Sequence, residues 1–234
     1  MIKSVWVVVP AAGIGSRMLA DRPKQYLPLA GKTVIEHTLQ RLASHPKVAG
    51  IVIAIAEHDP YWSQLTQHYD CQLYSVIGGD TRADSVFNAL TELATITTDD
   101  PWVLVHDAAR PCLRHEDIDR MLTQLCDHPV GGILGLPVTD TVKRSNEQYE
   151  IIATVERQNL WRASTPQMFH LHTLKQALED AKSQQITVTD EASAIELVGL
   201  QAMMVEGHAD NIKITLPADL ALAELFLKQQ GQLI

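Results

Sequence analysis

Short runs of apolar residues recur along the first part of the chain and are separated by longer stretches of mixed character. A parallel strand that is covered on both faces needs continuous hydrophobicity, so each run predicts a buried strand. The predicted strands cover residues 5–9, 48–55, 73–77, 102–105 and 132–136.

Apolar residues in the intervening stretches repeat every three or four positions, which is typical of amphipathic helices. These patterns predict helices around residues 34–42, 85–93 and 118–125. Strands that alternate with helices in this way imply the α/β class, with a Rossmann-like, doubly wound and mostly parallel sheet.

The second half of the chain is less regular. The polar segment 139–158 predicts an extended β arm, because a structureless loop of that length is unusual inside a compact domain. Residues 201–205 predict a strand, and residues 217–230 predict a closing amphipathic helix. We expect one domain over residues 1–234, with the arm leaving it. The core side of the closing helix is predicted to carry Leu220, Leu222, Ala223, Leu225 and Phe226.

A loop rich in small residues follows the first predicted strand, with the sequence P-A-A-G-I-G-S-R-M at positions 10–18 and P-K-Q at 23–25. Small residues let backbone N–H groups approach an anion, and a turn that enters a helix adds the positive end of the helix dipole. Arg17 and Lys24 supply two cations, which suits a triphosphate better than a single carboxylate.

Two commoner glycine motifs do not fit this loop. The dinucleotide fingerprint requires a small residue at the position that Met18 occupies. The kinase-type phosphate loop requires a glycine five residues before Gly31, where this chain has Tyr26. On the glycines alone an ordinary strand-to-helix turn remains the alternative, and Arg17 and the P-K-Q segment argue against it.

Other polar motifs follow further predicted strands, and ligands of such sheets collect beyond the carboxyl ends of the strands. Gly79 and Asp80 follow the third run, and Asp107 follows the fourth. Asp107 is the best single carboxylate, with substrate hydroxyls and a Mg²⁺ ion as its alternative ligands. His106 is interpreted as a core histidine rather than a catalyst. Asp210 is a weaker site candidate, since Asp-Asn before a strand is also good turn chemistry.

Composition restricts the partners of the chain. With 234 residues, 46% of them hydrophobic, the chain is long enough for one well-buried α/β domain. The net charge of -9 argues against nucleic-acid binding, since proteins that bind phosphate backbones carry a broad basic face. Any anionic ligand must therefore meet a local cluster of cations.

The cysteines and the chain start indicate the compartment. Cys71, Cys112 and Cys126 form no C-x-x-C pair, which predicts buried free thiols, a reducing cytosol and no zinc site. No export signal precedes the first strand, and the apolar stretches are far shorter than the ~20 residues of a membrane helix. We expect a soluble, cytoplasmic protein with no membrane partner.

Several motifs together resemble a known enzyme family. The pattern P-A-A-G-x-G-x-R-M followed by P-K-Q is similar to the signature of nucleotidyltransferases that activate sugar and polyol phosphates. Further stretches are similar in order and spacing to the 2-C-methyl-D-erythritol 4-phosphate cytidylyltransferases, the CTP-dependent enzymes of the non-mevalonate isoprenoid pathway. These stretches lie at 78–86, 105–111, 137–143, 189–193 and 207–213, and the resemblance covers residues 5–225.

The resemblance implies transfer of CMP from CTP to 2-C-methyl-D-erythritol 4-phosphate, which gives 4-diphosphocytidyl-2-C-methyl-D-erythritol and pyrophosphate. It implies Mg²⁺ held mainly by the CTP phosphates. Stabilisation of the transition state falls to Arg17 and Lys24. CTP binding falls to Ala11, Ala12, Gly13, Gly79, Asp80 and Ser85, although Ser85 equally suits a helix cap. Substrate positioning falls to Asp107, Arg110, Thr141, Arg157, Thr165 and Lys213.

The resemblance also implies a homodimer, in which Thr141 and Arg157 of the arm reach the neighbouring subunit's site. Two alternatives stay open. A ribitol 5-phosphate cytidylyltransferase of the same family shares the nucleotide motifs and differs in the polyol pocket. A non-catalytic CTP sensor belongs to another class, and Arg17 and Lys24 argue against it because a sensor does not need transition-state cations.

Overall fold

The computed structural model describes residues 2–13, 21–65 and 68–233 of the chain. The strands of this part are β1 (Val5–Pro10), β2 (Pro28–Leu29), β3 (Lys32–Thr33), β4 (Val48–Ile55), β5 (Gln72–Ile77), β6 (Trp102–Val105), β7 (Gly131–Pro137), β8 (Val142–Ser145), β9 (Ile151–Val155), β10 (Trp161–His170) and β11 (Met203–Glu206). The helices are α1 (Val34–Ala43), α2 (Arg82–Ile96), α3 (His115–Gln124), α4 (Leu171–Ser183), α5 (Glu191–Leu197) and α6 (Ala218–Gln229).

The main sheet has the strand order β11-β7-β10-β6-β1-β4-β5. β10 runs antiparallel to its neighbours β6 and β7, and the other pairings in this sheet are parallel. The predicted α/β class with a mostly parallel sheet is therefore confirmed. Strand order reverses beside β1, which pairs with β4 on one side and β6 on the other. A crevice forms beyond the carboxyl ends of strands at such a switch point.

Helices cover both faces of the sheet because successive strand residues point to opposite sides. Val7 and Val9 face a buried cluster that includes α1 and α3. Val8 faces a second cluster with α2, α4 and α5. A third cluster packs α6 beside the start of α1. The apolar runs of the central strands β1 and β4 are thus continuous because these strands are buried on both sides, whereas the edge strand β5 is only half-buried.

The segment between β7 and β10 leaves the sheet. Within the described parts of the chain, β8 and β9 pair with each other as an antiparallel ribbon and share no pairing with the main sheet. Tyr149 is 90% exposed, and Ile151 and Ile152 are also exposed. This ribbon therefore presents apolar side chains to solvent in the isolated chain.

The prediction for the closing helix was partly wrong. Leu222 and Leu225 are 40% and 49% exposed. The fully buried residues of α6 are Ala223 and Leu227, which stand one helical turn apart. The helix contacts the rest of the domain through this narrow stripe, and Leu220 and Phe226 are partly buried against the same cluster. The contact is therefore narrower than the predicted apolar face.

Two further findings concern the thiols and the membrane. The cysteines are free, but only Cys112 is buried, so the prediction of buried thiols was wrong for Cys71 and Cys126, which are half-buried. Among the described residues, none of the helices combines the length and the apolar character needed to cross a bilayer.

Candidate active site

A cleft of about 340 Å³ opens at the carboxyl edge of the sheet. Its walls come from residues 10–13 at the end of β1, 79–82 after β5, 107–109 after β6, and Lys213 and Thr215 before α6, together with Lys24, Gln25 and Ser85. The cleft lies at the switch point of the strand order, where an open α/β sheet binds its ligands.

The first wall, residues 10–13, is held by a buried glutamine. Gln25 is 4% exposed, and its Nε2 donates to the carbonyl oxygens of Ala11 at 2.7 Å and Gly13 at 3.0 Å. The amide N–H of Ala11 donates to the carbonyl of Ala54 on the neighbouring strand at 2.7 Å. The loop is therefore fixed from below, and its small side chains leave room for a ligand above.

The second wall, residues 79–82, lies close to the first wall because Gly78 has no side chain. A Cβ at Gly78 would lie 2.6 Å from the Cβ of Ala12 and 2.8 Å from Oγ of Ser85. Only glycine allows the two loops to approach so closely. The Oγ of Ser85 accepts from the amide of Gly79 at 3.1 Å and donates to the carbonyl of Thr81 at 3.0 Å.

These contacts decide one alternative about Ser85. The N-cap of α2 is Thr81, whose side chain accepts from the amide of Asp84. Ser85 lies within the first turn of the helix, so the helix-cap alternative for it was wrong. Its buried hydroxyl instead shapes the glycine loop from inside.

Asp107 forms the centre of a cationic cluster at the end of β6. Its Oδ1 accepts from Nε of Arg82 at 3.1 Å. Its Oδ2 lies 3.2 Å from Nε of Arg110 and 3.0 Å from Nζ of Lys213. Burial alone would raise the pKa of this carboxyl, but the three cations outweigh burial and hold the pKa well below its usual range. Asp107 is therefore ionised at any physiological pH.

A chain of hydrogen bonds holds the Asp107 backbone from behind. The amide of Asp107 donates to Oγ1 of Thr165 at 3.1 Å. Thr165 Oγ1 lies 3.1 Å from Nδ1 of His106, and His106 Nε2 lies 3.1 Å from the carbonyl of Arg110. That carbonyl can only accept, so Nε2 carries the ring proton and the threonine hydroxyl donates to Nδ1.

His106 is fully buried, and burial lowers its pKa to about 4, so the ring is neutral at pH 7. Both ring nitrogens are occupied by this hydrogen-bond chain. The structure therefore agrees with the interpretation of His106 as a core histidine. Its contribution to the site is to orient Thr165 and, through it, Asp107.

Arg82 also reaches a second carboxylate. Its NH1 and NH2 donate to the two oxygens of Glu191 at 2.6 and 3.1 Å, while its Nε holds Asp107. Burial would lower the pKa of Arg82, but Glu191 and Asp107 outweigh it and raise the pKa. Glu191 is 1% exposed, and burial raises the pKa of its carboxyl, against the opposing effect of Arg82.

The structure brings together most of the residues chosen from the sequence. Those that line the cleft are Ala11, Ala12, Gly13, Lys24, Gly79, Asp80, Ser85, Asp107 and Lys213. Arg110 and Thr165 stand behind them, each bonded to Asp107. Arg17 lies outside the described residues.

Three candidates lie elsewhere in the described chain. Thr141 and Arg157 are exposed on the arm and do not line the cleft of their own chain. The guanidinium of Arg157 donates to the carbonyl of Thr139, which is at the base of the arm. Asp210 pairs with Arg114 at 2.5 Å and accepts from Gln230, so its contacts are structural ones outside the cleft lining.

The residues of the cleft suit a metal ion only when the ion is already bound to a phosphate-bearing ligand. Within the described residues, no group of three or more His, Cys, Asp and Glu side chains is arranged to hold an ion. Both oxygens of Asp107 already accept from cations. A divalent cation would therefore arrive with phosphate oxygens as its main ligands.

Gln25, Arg82 and Glu191 are site residues that the sequence pattern did not predict. Arg82 is the first residue of α2, and an arginine is unfavourable at the positive end of a helix dipole. That conflict was a signal that the side chain serves the site. Glu191 lies in the stretch 189–193 that resembles the family, and nothing in its local pattern indicates that it is buried.

A doubly wound sheet with a small-residue loop, a glycine loop and a cationic cluster at one edge defines a nucleotide-binding enzyme of the nucleotidyltransferase class. The family model described as 2-C-methyl-D-erythritol 4-phosphate cytidylyltransferase matches residues 5–229. The chain therefore belongs to the 2-C-methyl-D-erythritol 4-phosphate cytidylyltransferase family and is a cytidylyltransferase.

Individual relatives agree with this assignment. The chain is 52% identical to the enzyme of that name from Vibrio vulnificus strain YJ016, over 97% of this chain and 96% of the relative. It is 51% identical to the one from Hahella chejuensis, over 96% of this chain and 93% of the relative. The crystal structure of the Francisella tularensis enzyme is similar with a TM-score of 0.83 at 38% identity, covering 96% of this chain and 100% of that one.

Proposed function

We propose that this chain transfers CMP from CTP to 2-C-methyl-D-erythritol 4-phosphate, giving 4-diphosphocytidyl-2-C-methyl-D-erythritol and pyrophosphate in isoprenoid biosynthesis. Family membership across residues 5–229 supports the reaction. The observation that carries the proposal is the cleft itself, in which two backbone loops face a cluster of cations around Asp107. This arrangement suits two phosphate-bearing ligands side by side.

The chemistry needs positioning more than proton transfer. A phosphate oxygen of the acceptor attacks the α-phosphorus of CTP in line, a new P–O bond forms, and the bond to the bridging oxygen of the β-phosphate breaks. That oxygen leaves with pyrophosphate. The attacking phosphate is already a competent nucleophile at neutral pH, so rate enhancement rests on orientation and on stabilising negative charge at phosphorus.

On the nucleotide side, we assign the ribose and phosphates to the loop of Ala11, Ala12 and Gly13, and the cytosine to Gly79, Asp80 and Ser85. Cytosine N4 is a donor and O2 an acceptor, so backbone groups and a carboxylate suit it. We assign Lys24 to the leaving phosphates, which its place in the cleft supports. Arg17 is assigned with Lys24 to the transition state on the motif alone.

On the acceptor side, Asp107 and Lys213 face the cleft, and we assign them to the hydroxyls and phosphate of the polyol. Arg110 and Thr165 hold Asp107 from behind, so their effect on the acceptor is mainly indirect. We propose that Mg²⁺ enters as part of the CTP substrate, held mainly by phosphate oxygens. When bound, it neutralises charge that develops on the departing pyrophosphate.

We further propose a homodimer in which Thr141 and Arg157 of each arm complete the acceptor site of the other subunit. The exposed Tyr149, Ile151 and Ile152 of the ribbon support it, since exposed apolar clusters of this kind suit an interface. The free thiols of the chain support a reducing compartment, and we propose a cytoplasmic location.

The homodimer is tested by mixing subunits. We expect Lys24→Ala and Arg157→Ala subunits to be strongly impaired when each is alone, whereas a mixed dimer would contain one site with both residues intact. If the arms act in trans, random mixing restores about a quarter of wild-type activity, because half of the dimers are mixed and one of their two sites works. A mixture no more active than its parents, or a monomeric mass by light scattering at micromolar concentration, contradicts the dimer model.

The reaction is tested by pyrophosphate release with CTP and Mg²⁺, comparing 2-C-methyl-D-erythritol 4-phosphate with ribitol 5-phosphate as acceptors. Release with the former and none with the latter is expected. Release only with ribitol 5-phosphate would keep the chemistry and overturn the substrate. Release with neither acceptor, despite CTP binding, would contradict transfer to either and favour the sensor alternative.

A further inference from the structure

One guanidinium group ties two carboxylates together at the edge of the cleft. Arg82 uses all three of its nitrogens, Nε toward Asp107 and the two terminal ones toward Glu191. Asp107 comes from the end of β6, and Glu191 is the first residue of α5. Arg82 therefore fixes the end of one strand relative to the start of two helices.

Glu191 itself is held rigidly. Gln167 of β10 is 1% exposed, and its side chain accepts from the amide of Ala192 at 2.8 Å and donates to Asp190 at 2.9 Å. Asp190 also caps α5 by accepting from the amide of Ser193. The start of α5 is thus locked to the sheet, and Glu191 cannot shift without breaking these bonds.

Counting acceptor sites shows what the arrangement leaves for a ligand. A carboxylate offers about four lone-pair sites, two on each oxygen. On Asp107, Arg110 and Lys213 occupy the two sites of Oδ2, and Arg82 occupies one site of Oδ1. The remaining site is on Oδ1, the oxygen that Arg82 holds. The direction of that site depends on where Arg82 is fixed, and Glu191 fixes it.

We propose that Arg82 and Glu191 are positioning residues for the polyol acceptor, because together they orient Oδ1 of Asp107 toward a substrate hydroxyl. This inference rests on the proposed function and extends it to two residues that the motif comparison left without a role. Arg82 lines the cleft with its side chain 29% exposed, whereas Glu191 acts from a fully buried position behind it.

The charge balance explains why the pair includes a buried carboxylate. If Glu191 were absent, Asp107 would be the single carboxylate facing three cations, which are Arg82, Arg110 and Lys213. Arg82 would then be drawn toward the phosphates of the nucleotide, since among the described residues Glu191 is the partner of its terminal nitrogens. Glu191 keeps the guanidinium directed at Asp107, so it acts on acceptor binding rather than on CTP binding.

The test measures steady-state kinetics of full-length Glu191→Gln and Arg82→Lys. Glutamine keeps the size of Glu191 but turns an N–H₂ group toward the guanidinium. Lysine keeps the charge of Arg82 but lacks the planar fork that bridges two carboxylates. For both variants we expect the KM for 2-C-methyl-D-erythritol 4-phosphate to rise at least tenfold. We expect the KM for CTP to stay within about threefold of wild type, because the nucleotide loops keep their own hydrogen bonds in both variants.

The matched control is Lys182→Gln. Lys182 of α4 makes an ion pair at 2.7 Å with Asp84, which is on the same helix as Arg82. The side chain of Lys182 lies outside the cleft and is 64% exposed. We expect its two KM values and its melting temperature to match wild type. If this control matches wild type, the loss of an ion pair on α2 is not by itself enough to raise the KM for the acceptor.

Three outcomes would overturn the inference. Both KM values rising together would make the pair a general structural element, and so would a fall in melting temperature with unchanged KM values. If Glu191→Gln does not fold, Arg82→Lys decides alone, and a wild-type acceptor KM in that variant rejects the proposal. If wild type fails to use the methylerythritol acceptor, the proposed function fails first, and the same comparison is made with the acceptor that wild type accepts.

Discussion

Gln25 offers the sharpest test of how the nucleotide loop is built. Its amide holds the carbonyls of Ala11 and Gly13 at 2.7 and 3.0 Å from a position that is 4% exposed. Gln25→Met keeps the length and much of the volume of the side chain and removes both donors. The loop then loses the bonds that fix it before the nucleotide arrives.

The size of the effect follows from the two bonds. A hydrogen bond contributes about 1 kcal/mol net, so losing both raises the free energy of the binding-competent loop by about 2 kcal/mol. Since 1.4 kcal/mol is a factor of ten in an equilibrium constant, CTP binding should weaken about 30-fold. The acceptor site, which lies on the other wall, should be little affected.

Calorimetric titration of CTP with Mg²⁺ measures this loss directly. Gln176→Met is the matched control, because Gln176 bonds Asp180 at 2.9 Å on the exposed surface of α4, away from the cleft. We expect the control to bind CTP like wild type. Binding by Gln25→Met within twofold of wild type would refute the argument that these two bonds organise the loop.

Three further predictions concern catalysis, pH and the arm. Lys24→Ala should lower kcat by about 100-fold, the scale of one lost charge-stabilising donor, with the fold retained by circular dichroism; near-wild-type turnover removes Lys24 from the mechanism. His106 is neutral when folded, with a pKa of about 4 against an ordinary 6.5, so the unfolded chain binds its proton first as pH falls. Its contribution of about 3 kcal/mol should be present above pH 6.5 and lost between pH 6.5 and 4, which denaturant titration of wild type against His106→Gln would measure. Arg157→Ala should raise the KM for the acceptor and leave CTP binding intact, and unchanged kinetics would exclude the arm from the site.

The sequence predicted the sheet well where burial imposes a simple pattern. β4 and β6 have the predicted bounds, because strands covered on both faces must be apolar throughout. β10 escaped prediction since it is antiparallel and contains Arg162 and Thr165, which interrupt any apolar run. The pattern at α6 predicted a helix but not its contact, because packing against a narrow stripe depends on where the neighbouring cluster lies.

The site was predictable where one segment contains the whole signal. The loops at 10–13 and 78–80 and the strand-end Asp107 are local motifs, and the cleft brings them together. Gln25 bonds a loop that lies 12 and 14 residues away, and Arg82 pairs with Glu191 across 109 residues. No local pattern contains such a contact, although the arginine at the start of α2 conflicts with the helix dipole and could have been noticed.

The arm is attached at a point of the topology where its removal need not disturb the main sheet. β7 and β10 are antiparallel neighbours, with Pro137 opposite Trp161, and the amide of Val138 donates to the carbonyl of Leu160 at 2.9 Å. The arm is thus an enlarged loop of a β-hairpin whose two ends already meet. A two-residue turn of the Asn-Gly type can close such a hairpin. Excising the arm should therefore leave the main sheet folded and, under the homodimer proposal, yield a monomer, because the strands that the arm connects are already paired without it.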